Sequence, residues 1–153
     1  MRLNQLAKIA TVAATTVSAA VLAIGPAAAA PTWQPWVKTD DSVCGGTEHH
    51  VVSTKVLFQT CMVINYSNYT AQPVLVVRNN ASVSITMKSG YTHSNWGGSN
   101  TYCYDKVLAA GQVLACYGES APYIDGENIS WGGFTYNGQS DKTLNLSQYL
   151  VRP

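Results

Sequence analysis

Few residues in this chain could do acid–base or metal chemistry. The histidines are His49, His50 and His93, and the first two stand side by side behind Glu48. Adjacent residues on a strand point to opposite faces, so His49 and His50 do not converge on one ion, and neither their number nor their spacing suits a zinc site. The pair reads as a solvated strand edge. No Gly-x-Ser-x-Gly elbow and no His-Glu-x-x-His helix accompanies them. Asp40-Asp41, Asp125-Gly126-Glu127 and Asp141 are the carboxylates a glycosidase pair or a calcium loop would draw on. Asp125 to Glu127 supplies too few alternating oxygen ligands for calcium, and solvation of turns and loops explains the acids better. The expectation is a non-enzymatic protein without metal or cofactor.

The four cysteines carry a different chemistry. Cys44, Cys61, Cys103 and Cys116 form an even set, and no pair has the two-to-four-residue spacing of a zinc knuckle. In an oxidising compartment they make two bridges, with three pairings open. Proximity in sequence favours Cys44 with Cys61 and Cys103 with Cys116, each bridge contributing roughly 3 kcal/mol by loop entropy. A hairpin turning at Ala109-Ala110-Gly111 would bring Cys103 and Cys116 opposite one another.

Such a compartment is implied by the start of the chain. Arg2 and Lys8 precede an apolar stretch from Ile9 to Ile24, Gly25-Pro26 ends any helix, and Ala27 to Ala30 satisfies a signal peptidase. Residues 1–29 are therefore expected to be a signal peptide, leaving a secreted, extracellular chain that begins Ala30-Pro31-Thr32. Its 124 residues make one domain. The whole chain has nine Lys and Arg against eight Asp and Glu, and loss of Arg2 and Lys8 makes that seven against eight. Nucleic acid and anionic membrane surfaces are excluded as partners on that balance, and no second apolar run approaches the roughly 18 residues of a spanning helix.

The positioning elements read as strands. Val56, Phe58, Thr60, Met62 and Ile64 alternate with Leu57, Gln59, Cys61 and Val63 in a long strand over 51–64. Val74 to Arg78 is a short, nearly continuous apolar strand, and Val83, Ile85 and Met87 mark a half-buried one. Residues 89–100 read as a polar, Gly-rich loop, 101–108 and 112–118 as a hairpin, and 127–136 as a strand interrupted at Gly132-Gly133. Asn137-Gly138 signals a tight turn, and Leu144 and Leu146 mark a last strand. About seven strands with no helical periodicity give an all-β fold, a sandwich or barrel, over 44–153.

Residues 30–43 lie outside these strands and form an extended arm, since Pro31 and Pro35 favour open backbone. The arm carries Trp33, Gln34, Pro35 and Trp36. Large amphipathic rings on such a segment suit capture by a partner's groove, or the arm folds back to shield its own sandwich edge. Trp96, in the loop, is a second candidate contact.

Three runs, Val56-Leu57-Phe58-Gln59-Thr60-Cys61, Leu75 to Ser82 and Leu108-Ala109-Ala110-Gly111-Gln112, resemble secreted immunoglobulin-like β-sandwiches of actinomycetes. The plan of leader, aromatic arm and two-bridge sandwich is similar to that of the small adaptor subunit of actinomycete umbrella toxin particles. That likeness covers the plan of the chain and no specific motif. It implies an immunoglobulin-like fold and a non-catalytic adaptor whose arm inserts into a lectin and which links that lectin to a large toxin polypeptide. Separately, Thr101-Tyr102-Cys103-Tyr104 through Gly111-Gln112 resembles small α-amylase inhibitors, although the Trp-Arg-Tyr tripeptide of that family is absent. Direct glycan binding by exposed aromatic rings is a third class.

Overall fold

A two-faced strand writes its burial into its sequence, and residues 53–65 show how. In the computed structural model, which describes residues 32–97 and 100–153, Val56, Phe58, Thr60, Met62 and Ile64 are all buried on the inner face. Burial of each large apolar side chain stabilises the fold by roughly 1.5–3 kcal/mol. The expected leader, 1–29, and the arm's first residues, Ala30 and Pro31, lie outside the described residues.

In chain order the strands are β1 (Trp33–Pro35), β2 (Ser42–Cys44), β3 (Glu48–His50), β4 (Ser53–Asn65), β5 (Thr70–Asn79), β6 (Ile85–Ser94), β7 (Thr101–Cys103), β8 (Lys106–Leu108), β9 (Val113–Tyr117), β10 (Ala121–Pro122), β11 (Gly126–Tyr136), β12 (Gln139–Lys142) and β13 (Leu146–Leu150). They build two antiparallel sheets. The first runs β1-β9-β5-β4-β2, with β10 added to β5 and β3 to β4; the second runs β12-β11-β6-β7, with β13 on β11 and β8 on β6. Phe58, Leu75, Val77 and Leu114 from the first sheet meet Ile85, Met87, Leu108 and Phe134 from the second in one core cluster. The all-β, immunoglobulin-like sandwich read from the sequence is the fold observed. Its strands number more than about seven because three-residue segments along the edges carry too little alternation to register in the sequence.

The apolar run Val74-Leu75-Val76-Val77 in β5 is buried on both faces. Leu75 and Val77 enter the core, while Val74 and Val76 face outward and belong to a second cluster with Cys61 and Ala115. A strand covered on both sides reads as continuous rather than alternating.

Several local expectations need correction. The segments over 101–108 and 112–118 form no hairpin: β7 and β8 pair with β6, whereas β9 pairs with β5 and β1. The Ala109-Ala110-Gly111 stretch therefore carries the chain from one sheet to the other. Gly111 adopts φ 74°, and the buried Asn79 amide donates to the carbonyls of Val83, Leu108 and Ala109, fixing this crossover. Residues 89–94 continue β6 instead of forming a loop, and Val83 is exposed ahead of the strand. β11 runs unbroken through Gly132-Gly133. Glycine is needed there because a Cβ on Gly132 would lie 2.7 Å from the Tyr91 carbonyl, and one on Gly133 would strike the Asp141 carbonyl. Leu144 is exposed and the last strand starts at Leu146. The Asn137-Gly138 turn is as expected: both residues have positive φ and Tyr136 pairs with Gln139.

Both disulfides follow the pairing that sequence proximity favours. Cys44 and Cys61 are direct cross-strand partners within the first sheet, with Cα atoms 4.0 Å apart. Cys103 and Cys116 join the two sheets across the core, with Cα atoms 5.9 Å apart. The second pairing arises from the crossover, not from the hairpin that suggested it.

Candidate functional site

The arm is part of the sandwich. Trp33, Gln34 and Pro35 form β1, paired with Cys116, Ala115 and Leu114 of β9 at the edge of the first sheet. An edge position tolerates Pro35, which has no N–H to donate. Trp33 is only 7% exposed and belongs to the core, so its ring is not offered to a partner. Its indole lies against Gly90 of β6, where any Cβ would collide with the ring, and its Nε1–H donates to the Tyr104 carbonyl at 2.8 Å. Trp33 pairs with Cys116, and Gly90 pairs with Cys103. Indole, glycine and inter-sheet disulfide thus form one layer, the same physical device as the tryptophan packed on the inter-sheet bridge of antibody domains.

β1 and β2 lie at opposite edges of the first sheet, so residues 36–41 strap its outer face. Four inter-strand spacings amount to about 19 Å, and the stretch from Pro35 to Ser42 reaches at most about 25 Å. The strap ends in a turn, in which Ser42 N–H donates to the Thr39 carbonyl at 3.0 Å. Trp36 is half-buried, packs on the outward cluster of Cys61, Val74, Val76 and Ala115, and meets Tyr117 with ring centroids 6.1 Å apart. Gln34 and Pro35 are exposed, as is Val37, at 68%. A groove of about 300 Å³ opens beside Trp36, floored by Leu57, Val76 and Val113 with Arg78 at its rim.

Trp96 is half-buried at one end of the sandwich, where it packs with Met62, Ile64, Tyr123, Leu146 and Leu150. Its Nε1–H donates to the Ala71 carbonyl at 2.9 Å. The structure thus separates the five arm and loop residues singled out in the sequence: Trp33 in the core, Gln34, Pro35 and Trp36 along one edge and its outer face, and Trp96 at the end.

His49 is exposed, but His50 is not a solvated residue. Strand alternation, with His49 paired to the outward Leu57, turns the second imidazole inward, among Phe58, Phe134 and Tyr136 at centroid distances of 6.0, 4.8 and 5.7 Å. Burial lowers its pKa below the ordinary histidine value, while the Asp141 carboxylate and the Phe134 carbonyl act in the opposite direction. Its Nε2 has no hydrogen-bond partner among the described residues. The carboxylates act on backbone: Asp141 accepts from Val51 N–H at 2.7 Å, Glu48 from Leu144 at 2.6 Å, Asp105 from Ser89 at 3.2 Å and Asp125 from Arg152 at 2.9 Å. The first three tie a loop to a strand distant in sequence, and the last ties the C-terminal end to the loop ahead of β11. Among the described residues, no three His, Cys, Asp or Glu side chains are grouped to hold a metal ion.

The outer face of the second sheet was not singled out from sequence. His93 and Trp131 are register partners with rings 4.2 Å apart. Tyr91 pairs with Tyr102 of β7, their rings 6.3 Å apart and inclined at 45°. Burial, and then the neighbouring Tyr102, raise the Tyr91 pKa, so its hydroxyl keeps its proton. These tyrosines wall a cleft of about 510 Å³. Its pieces come from β6, β7, β11 and β12, and no local motif announces it.

No protein-family model and no curated protein matches this chain. Two disulfides fit an oxidising environment, and no described helix is long and apolar enough to cross a membrane.

Proposed function

We propose that this is a secreted, non-catalytic binding protein that docks to a partner protein through the outward side of its strap. The observation that carries this reading is the division of labour between the two arm tryptophans. Trp33 anchors the strap in the core, and the anchored strap presents Gln34, Pro35, half of Trp36 and the exposed Val37 beside an apolar groove. A surface already fixed by the fold spares a partner the ordering cost of capturing a free arm, roughly 0.5–1.5 kcal/mol for each side chain immobilised. The form of this reading closest to the plan-level resemblance is an adaptor that links subunits of a secreted antibacterial toxin complex, with a lectin and a large toxin polypeptide as its partners.

The test compares the wild-type protein with Trp36→Ala combined with Val37→Asp, each used to retrieve partners from the culture supernatant and analysed by mass spectrometry. A specific partner retained by the wild type and lost by the variant, with unchanged thermal unfolding, is the expected result. Equal retention by the folded variant would place docking elsewhere on the molecule.

A further inference from the structure

The tyrosine-walled cleft lies on the sheet opposite the strap and has the chemistry of a saccharide site. A pyranose ring has an apolar C–H face and a rim of hydroxyl groups, each both donor and acceptor. Its complement is therefore an aromatic surface bordered by short polar side chains. Tyr102 provides the open wall: it is 59% exposed, and its hydroxyl accepts a hydrogen bond from Asn100 Nδ2 at 3.0 Å, which orients the ring. Tyr91 provides the inner wall and packs over Gly133, where a Cβ would come within 3.0 Å of the tyrosine ring. The absent side chain keeps the floor low.

The facing side is polar. The Thr135 and Ser140 hydroxyls share a hydrogen bond at 2.7 Å, and Asp141 and Lys142 follow along β12. Asp141 meets the cleft through its backbone carbonyl, which lies against Gly133; its register partner is Phe134 of the core, so its carboxylate turns to the inner side, where it accepts from Val51 N–H at 2.7 Å. With that carboxylate turned away, Lys142 is the charged side chain at the cleft, which disfavours polycations, and the phenols, hydroxyls and amide around it suit a polyhydroxyl ligand. The volume falls within the few hundred to 1,000 Å³ typical of small-ligand sites.

We propose that this cleft binds oligosaccharides whose pyranose units present a flat C–H face, stacking one unit on Tyr102 and Tyr91 and hydrogen-bonding its hydroxyls to Asn100, Thr135 and Ser140. The site is independent of the strap, so the protein would hold a glycan on one sheet and a protein on the other.

The test is a titration of the disulfide-intact secreted protein with cellotetraose, chitotetraose and maltotetraose, followed by amide chemical-shift perturbation. Expected is saturable binding of at least one, with the largest shifts at Gly133, Asp141 and Lys142. Tyr102→Ala, on an exposed ring, should weaken binding about tenfold, as loss of one aromatic stacking contact does, while Tyr102→Phe should retain most of it. Partner retrieval through the strap should be unchanged in Tyr102→Ala, so the two readings fail separately. Absence of saturable shifts with all three sugars, shifts mapping elsewhere, or equal binding by Tyr102→Ala would overturn the proposal.

Discussion

The two edges of the first sheet are closed by the same kind of element and by opposite chemistry. At one edge the three residues of β1 send Trp33 into the core; at the other, the three residues of β3 send in His50. The indole arrives with its only polar atom satisfied by the Tyr104 carbonyl, and it rests on a glycine and an inter-sheet disulfide. The imidazole arrives with Nε2 unpartnered among the described residues, and the nearby bridge, Cys44–Cys61, lies within the sheet on its outer side. An edge can thus be sealed permanently or conditionally, and which it is depends on whether the inserted ring can take up charge.

The largest expected effect comes from the permanent seal. Trp33→Ala empties a slot shaped by Gly90 and removes the N–H that Tyr104 accepts, so it should cost about 3–5 kcal/mol, read as a lower urea midpoint. Trp33→Phe should cost less, because the slot stays mostly filled. A loss under about 1 kcal/mol, the range of a tolerated surface change, would mean that β1 does not hold this edge.

The two disulfides sharpen the same comparison. Their sequence separations, 13 and 17 residues, make their loop-entropy contributions nearly equal, at roughly 3 kcal/mol each. Location separates them. Replacing Cys103 and Cys116 by Ser puts two hydroxyls into the core beneath Trp33, whereas Cys44 and Cys61 lie on the outer face and remain held by the pairing of β2 with β4. The Cys103/Cys116 double variant should therefore unfold at lower urea than the Cys44/Cys61 double variant. Equal midpoints would mean that loop closure alone accounts for both bridges.

How much of this was legible in the sequence follows from the length of each element. β4 alternates over thirteen residues and β5 carries an uninterrupted apolar run, so both faces of each could be read directly. Asn137-Gly138 was legible because only a few residue types accept positive φ. The disulfide pairing came out right although the supposed hairpin is a crossover between sheets, since short separation is compatible with both. β1 was missed because three residues, one of them Pro35, are too few to show a period, and β3, read as a strand edge, was too short to show that His50 turns inward. Trp33 nevertheless left a signal in Gly90, a strand glycine with no turn to serve, which marks close approach by another group. The cleft left none, because Tyr91, Tyr102 and Ser140 come to one face only through the pairing of β6 with β7 and of β11 with β12.

The smallest expected effect tests the conditional seal. His50 is neutral when buried among Phe58, Phe134 and Tyr136, and its folded pKa lies below the ordinary value of about 6.5. As pH falls through that value the unfolded chain takes up a proton that the folded chain resists. Stability contributed by the neutral ring is therefore complete above the unfolded pKa and declines as pH falls toward the folded one. Asp141 is the charged group facing the ring; its attraction for the imidazolium limits the loss without cancelling it, since burial is the larger influence. Other groups contribute to the pH dependence of the whole molecule, so the informative quantity is a double difference: the change in urea midpoint between pH 7.5 and 5.5 for wild type, less that for His50→Phe. It should show a greater acid-side loss in the wild type. Amide exchange at β3 should quicken more than at β1 over the same interval, because nothing in the Trp33 slot gains a proton. Identical pH dependence in the two proteins, or equal acceleration at both edges, would show that the imidazole closes its edge as firmly as the indole does.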